Sequence, residues 1–364
     1  MDSQGHQSDL NPRKSLSAIE KTTIAHLLEI DSHSKQTQEL QNNSKLVQAN
    51  RLVDQGIDQH QNNQFKAALQ SFQQALSLYR EIQDRQAEGK VLGNLGNACY
   101  ALGEYLKAIN YYQQWLAIAK EIQDRRAEGL ALGNLGNAYR HLEDQPKAID
   151  YQQQSLLIAK EIQDPRGEVA ALNNLGLAYK GLGDYPKAID YQQQSLILMR
   201  KLQDRKGEGQ VLRNLGNAFY ALGDYAQAIE YYQQRLMLAR EQQDFRGEGQ
   251  VLRNLGSACY ALGNYTQAIE YYQQRLTLAE EIQDLRVEEQ ALGSLGVAYE
   301  ALGDFDRAIG CYEKRLGIGR QLQDQRVEQQ ALGSLKVACY AMGDYAKAFK
   351  YQELRSPTSL NVAH

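Results

Sequence analysis

The stretch Gly93-Asn94-Leu95-Gly96-Asn97-Ala98 returns unchanged 40 residues later as Gly133-Asn134-Leu135-Gly136-Asn137-Ala138. Variants of it start at Asn173, Arg213, Arg253, Gly293 and Gly333. A fixed period of 20–50 residues marks stacked supersecondary units rather than an independent globular core. Each unit buries its apolar face on its neighbours, and the stack offers an extended surface. The repeat therefore decides the fold before any single residue does.

Within one period the pattern is that of a helical hairpin. In residues 85–124, Val91, Leu92, Leu95, Cys99 and Leu102 recur at spacings of three and four, one apolar stripe of a helix. Gly103 follows as a helix-ending glycine able to take positive φ. A second stripe runs through Tyr105, Ala108, Ile109, Tyr112, Trp115, Leu116 and Ala119. Asp124 is placed to cap the next helix. Gly96, Gly136, Gly176, Gly216, Gly256 and Gly296 fall mid-helix, where glycine costs about 1 kcal/mol relative to alanine. That cost is tolerable where two helices must approach closely, so the spacing predicts that helix A nests on helix B there. We divide the chain into an N-terminal segment 1–43, partly disordered with a short helix in 17–30, and a repeat array 44–355. The array holds seven full units and a truncated eighth, followed by a disordered tail 356–364.

Composition narrows the function. Among the 364 residues a net charge of −4 argues against nucleic acid as the main partner. No apolar run is long enough for a membrane span, and none in the first thirty residues suits a signal peptide, so a cytoplasmic protein is expected. Three of the four cysteines, Cys99, Cys259 and Cys339, share one phase, where other copies carry Tyr139, Tyr179, Phe219 and Tyr299. They read as small core hydrophobes; the fourth is Cys311. The six histidines show no ligand spacing, so neither a metal nor another cofactor is expected. Acidic residues recur with the repeat, as at Glu88, Glu128, Glu168 and Glu208, whereas a catalytic group should be singular. No catalytic residue is expected, and the protein is read as a non-enzyme.

The spacing of Leu92, Leu95, Gly96, Cys99, Ala108 and Tyr112 resembles the tetratricopeptide repeat (TPR) signature over about 300 residues. The 40-residue form is similar to the arrays of the Partner-of-Inscuteable spindle adaptors, the Rapsyn-like proteins and bacterial signalling proteins. The resemblance implies an all-α, right-handed superhelical solenoid of antiparallel helix hairpins. It also implies that the first helix of each hairpin lines a concave groove, so that the phases of Gly93, Asn97 and Tyr100 face a ligand. Asparagine in this family grips ligand backbone, which carries that role onto Asn97, Asn137 and Asn217.

Along those phases Arg140, Lys180, Arg213 and Arg253 form a positive stripe in an acidic protein, together with Asn173, Tyr220 and Tyr260. Guanidinium forks match carboxylates. An extended, acidic protein or peptide segment is the expected partner. The competing reading makes the asparagines structural. Arg235, Arg275 and Arg315 on helix B are expected in intramolecular ion pairs, with Glu230 and Glu270 in helical reach of the first two. Residues 17–30 either cap the array or lie in the groove. Lys336 replaces glycine in the last unit and either supplies a polar cap or leaves a surface for weak homodimerisation. A peptide adaptor is thus the leading reading, beside a self-associating array and a sensor of a small molecule.

Overall fold

In a computed structural model of the chain, residues 18–355 are described, with side chains from Gln38 onward. Among them sixteen α-helices and no strand are found. The tail 356–364 and residues 1–17 lie outside the described residues. The chain forms two compact units that divide at Ala131 and Leu132. In the first, α1 (Ala18–Gln61), α2 (Phe65–Glu81), α3 (Arg85–Ala101) and α4 (Tyr105–Glu121) pack in sequence order, each on the next. Helix α5 (Arg125–His141) follows.

The second unit contains α6 (Gln145–Glu161), α7 (Pro165–Leu182), α8 (Tyr185–Lys201), α9 (Arg205–Leu222), α10 (Tyr225–Glu241) and α11 (Phe245–Ala261). It continues through α12 (Tyr265–Glu281), α13 (Leu285–Leu302), α14 (Phe305–Gln321), α15 (Gln325–Met342) and α16 (Tyr345–Arg355). Consecutive helices again pack against one another.

Helix α1 differs from the expected short helix. It is one element of 44 residues that runs across the boundary drawn at residue 43. No proline interrupts it and its first glycine is Gly56, so nothing in the backbone chemistry stops it earlier. Gly56 occupies the recurrent glycine phase, which identifies the end of α1 as the first helix of the degenerate first hairpin. The side chains of residues 18–37 lie outside the described residues, and with them the question of cap or groove.

The period sets the turns. Aspartates cap the helices from one side: the Ala87 amide donates to Asp84 Oδ1 at 2.9 Å, the Ala127 amide to Asp124 Oδ1 at 2.9 Å, and the pattern recurs along the chain. Such a cap is worth about 1 kcal/mol. Between the two helices of a hairpin the chain mostly turns on glycine in the left-handed region, as at Gly103 (φ 76°) and Gly183 (φ 84°), with Asn63 and Glu143 in that place in two hairpins. Between hairpins a glutamine takes that conformation instead, as at Gln123 (φ 56°) and Gln163 (φ 52°). A side chain there costs about 1–2 kcal/mol.

The mid-helix glycines do bring helices together. A Cβ at Gly96 would lie 2.3 Å from the Tyr112 ring, and one at Gly56 2.5 Å from the Phe72 ring. Buried leucines such as Leu92, Leu95, Leu212 and Leu215 fill the space beside these contacts. Each stabilises the stack by about 1.5–3 kcal/mol. Hairpins are joined to the next by charge: Arg80 Nε donates to Glu88 at 2.7 Å and Arg200 Nε to Glu208 at 2.8 Å. Glu88 and Glu208 are buried, so the repeated glutamate phase is an inter-hairpin rung, besides lying at a helix N-terminus.

Candidate functional site

The asparagines of the first helices are engaged inside their own hairpins, and Asn173 also with the next one. Tyr112 donates its hydroxyl to Asn97 Oδ1 at 2.8 Å, and Tyr232 does so to Asn217 Oδ1 at 2.7 Å. In the hairpin of α5 and α6 the donor is Gln152 Nε2, which reaches Asn137 Oδ1 at 3.2 Å. Asn173 accepts from Gln192 Nε2 at both its backbone oxygen and Oδ1, each at 3.0 Å, and from Asn214 Nδ2 at 3.2 Å. Each of these Oδ1 atoms thus already serves the fold. Tyrosines of the third phase pack on the first residue of the following helix. Tyr100 meets Tyr105, Tyr220 meets Tyr225 and Tyr260 meets Tyr265, with ring centroids 5.1–5.4 Å apart.

The cations of the first helices differ from most others in the chain. Lys180 and Arg213 are half-buried, Arg253 is exposed, and none of the three forms an ion pair among the described residues. Arg140 lies 3.3 Å from His141 Nε2, and its own buried Nε has no hydrogen-bond partner. The combined effect of burial and the neighbouring guanidinium pushes the His141 pKa down, so that ring stays neutral near pH 7.

Of the three second-helix arginines expected in intramolecular ion pairs, Arg235 and Arg315 form one, Arg235 with a partner other than Glu230, while Arg275 forms none among the described residues. Arg235 Nη2 donates to Asp244 Oδ2 at 2.7 Å, beyond the end of its own helix. Arg315 Nε donates to Glu289 Oε2 at 3.0 Å on the preceding helix. Arg275 has no carboxylate; its Nη2 donates to the Gln290 amide oxygen at 2.8 Å. These side chains lie against helix A of their own hairpin and the start of the next hairpin, away from Glu230 and Glu270. Pattern reasoning on a single helix misses this, because the partners come from the loop and from the adjacent helix.

Arg253 and Arg275 are brought together where α11, α12 and α13 meet. They border a cleft of about 660 Å³, with Phe245, Leu278 and Val287 on its walls. They also border a second of about 510 Å³, beside Tyr260 and Ser294. Asn97 borders a smaller hollow of about 140 Å³ in the first unit, next to His60 and Phe72.

Cys99, Cys259 and Cys339 are buried and unpaired, as is the partly buried Cys311. Burial raises the Cys99 and Cys259 thiols to about 11, so they stay protonated and inert. Among the described residues no cluster of three or more His, Cys, Asp or Glu side chains is placed to hold a metal ion. None of the described helices is long and apolar enough to cross a membrane.

Comparison with known proteins agrees with the hairpin geometry. By fold the chain is similar to a signal transduction ATPase with numerous domains from Pyrococcus horikoshii that carries a tetratricopeptide repeat sensor. The TM-score is 0.56 at 18% identity, over 84% of this chain. This chain spans 51% of that protein's own length. It is also similar to the apo quorum sensor NprR from B. thuringiensis, with a TM-score of 0.51 at 15% identity over 93% of each chain. A third similar structure is aspartyl phosphate phosphatase F from Bacillus subtilis, with a TM-score of 0.52 at 16% identity, covering 78% of this chain and 74% of that one. No curated protein matches by sequence. Models of the tetratricopeptide repeat match residues 88–161, 168–241 and 247–321, and a further one matches 53–121. With hairpin, glycine contact and sequence model in register over most of its length, the chain belongs to the tetratricopeptide repeat family.

Proposed function

We propose that this protein is a non-enzymatic, cytoplasmic adaptor that binds an extended acidic peptide segment along its first helices. The observation that carries this reading is the set Lys180, Arg213 and Arg253, which form no ion pair among the described residues in a chain where most basic side chains on the helix ends are paired. A cation left without a partner at a solvent-facing position adds little to the fold and remains available to a ligand carboxylate. Arg140 extends the stripe. Asn137, Asn173 and Asn217, with Tyr220 and Tyr260, share the first-helix phases of the second unit, Asn97 and Tyr100 hold the same phases on α3 of the first, and the asparagine amides offer donors to ligand carbonyls.

A fluorescent glutamate-rich decapeptide is expected to bind about tenfold more tightly than its glutamine counterpart, with affinity falling as salt rises. Arg213→Glu combined with Arg253→Glu should remove that preference and flatten the salt dependence. Equal binding of the acidic peptide to the double variant would overturn the reading.

A second reading, self-association through the last hairpin, has its own support. Val337, Met342, Tyr345, Phe349 and Leu354 of α15 and α16 are exposed apolar side chains on one short stretch. Light scattering across a hundredfold concentration range decides it. A constant monomer mass excludes the dimer, and a rise abolished by Phe349→Glu supports it.

A further inference from the structure

Arg235, Arg275 and Arg315 hold one position on α10, α12 and α14, yet the middle one alone lacks a carboxylate. Arg275 is also the deepest of them, only 4% exposed. Its Nε and Nη1 are buried without any hydrogen-bond partner. A guanidinium keeps its charge at neutral pH. Burying that charge with donors unmade opposes folding. The reason for the vacancy is visible in the repeat. Glu289, which serves Arg315, stands on α13 at the position that Gly249 takes on α11. The hairpin of Arg275 therefore omits the counter-ion that the next hairpin supplies to Arg315.

The surroundings describe what would take its place. Arg275 and Arg253 border both clefts between α11, α12 and α13, so two positive charges meet there, with Asp284 also on the lining of the larger cleft. Burial first, and the Arg253 charge second, bring the Arg275 pKa down to about 10. An anion at that point relieves both effects. The larger cleft is walled by Phe245, Leu278 and Val287, which suits an apolar body rather than a bare inorganic ion. Among the described residues the one side chain bonded to Arg275, Gln290, is itself exposed and makes a single neutral hydrogen bond to it.

We propose that Arg275 and Arg253 bind the carboxylate of a small organic acid whose apolar part lies against Phe245, Leu278 and Val287. Gln290 swings aside, and the two carboxylate oxygens accept from the guanidinium edge it vacates, in the bidentate geometry this pair of groups favours. The site shares Arg253 with the peptide reading but rests on the buried Arg275 of α12, which the stripe of Lys180 and Arg213 on α7 and α9 does not use.

The test is calorimetric titration of the full chain with N-acetyl-leucinate, beside its neutral twin N-acetyl-leucinamide and sodium sulfate at equal ionic strength. Saturable binding of the acid is expected, with the amide and sulfate each weaker by about tenfold or more. Arg275→Met should abolish it. Gly249→Glu provides the sharper variant. A Cβ there meets only Leu278, at 3.7 Å, so the side chain has room and gives Arg275 the carboxylate that Glu289 gives Arg315. This variant should unfold at a higher temperature than wild type and no longer bind the acid, while Gly249→Gln keeps binding. Absence of acid binding in wild type, equal binding of acid and amide, sulfate as tight as the acid, or undiminished binding by Gly249→Glu each overturns the site. If those results coincide with loss of acidic-peptide binding in the Arg213/Arg253 double variant, the peptide reading survives and only this inference fails.

Discussion

Among the hairpins from α5 to α14 two kinds occur, and they solve one packing problem with different chemistry. In those of α6 and α8 the mid-helix glycine of helix A faces a glutamine: Gln152 beneath Gly136 and Gln192 beneath Gly176. In those of α10, α12 and α14 it faces a tyrosine ring: Tyr232, Tyr272 and Tyr312 beneath Gly216, Gly256 and Gly296. Both side chains bond back to helix A. Gln152 Nε2 reaches the Gly133 carbonyl at 2.8 Å, whereas Tyr232 uses its hydroxyl. One turn further along helix B the same division holds, with Ser155 and Ser195 in the first kind and Arg235, Arg275 and Arg315 in the second. The first kind buries amide oxygens without partners, Gln152 Oε1 and Gln192 Oε1. The second buries charge. Shape repeats along the array, and electrostatics does not.

The largest expected effect tests the charged kind against itself. Arg315→Met strands the buried Glu289 carboxylate and should lower stability by about 3 kcal/mol. Arg275→Met strands nothing ionic and should leave stability unchanged or raise it by about 1 kcal/mol. Urea denaturation of the full chain, with hydrogen exchange read over 285–321 and 245–281, measures both. Equal losses would mean that Arg275 has a counter-ion in solution and that the three arginines are alike.

A smaller effect tests ring against amide. Alanine at Gly216 places a Cβ 2.3 Å from the rigid Tyr232 ring, whereas alanine at Gly136 meets the movable end of Gln152 at 2.6 Å. Gly216→Ala should cost about 1–3 kcal/mol despite the better helix propensity of alanine. Gly136→Ala should cost less than about 1 kcal/mol, since Gln152 can swing away and the propensity gain offsets its lost bond. Faster amide exchange in 205–241 of the first variant than in 132–161 of the second checks the order. The reverse order would show that the amide hydrogen bonds, not ring packing, hold the hairpins shut.

Much of this was legible in the sequence. The 40-residue period, the alternation of two apolar stripes, the aspartate caps and the helix-contact glycines follow from spacing alone, because each is a local rule repeated many times. Three features were not. The glutamines at positive φ, such as Gln163, break the rule that glycine marks such turns, and only the backbone reveals them. The N-terminal reach of α1 was hidden because the helix continues without a break through a polar stretch ahead of the first hairpin. The arginine pairings were hidden because their partners lie on adjacent elements, at distances in sequence that helical periodicity does not address. The lone position of Arg275 emerges only when Gly249 is set beside Glu289, a comparison between copies rather than along one helix.

Acid titration separates the two kinds of hairpin by the smallest effect. Asp244 is held below the ordinary carboxylate range first by the Gly247 amide and next by Arg235. Asp184, in a hairpin of the glutamine kind, is held down by the Lys187 amide and then by the Lys187 side chain. In each case the folded pKa is depressed. The stabilisation is therefore fully present above the unfolded value of about 3.9 and is lost as pH falls through the lower folded value. Arg235→Met should raise the Asp244 pKa part of the way, because the larger contribution, the cap bond, remains. It should leave Asp184 untouched, since that carboxylate takes its charge partner from its own first turn. Carboxyl chemical shifts followed by NMR through the acid range read both groups at once. An Asp244 curve unchanged by the substitution would show that Arg235, like Arg275, makes no ion pair that matters, and the contrast between neighbouring arginines would then disappear.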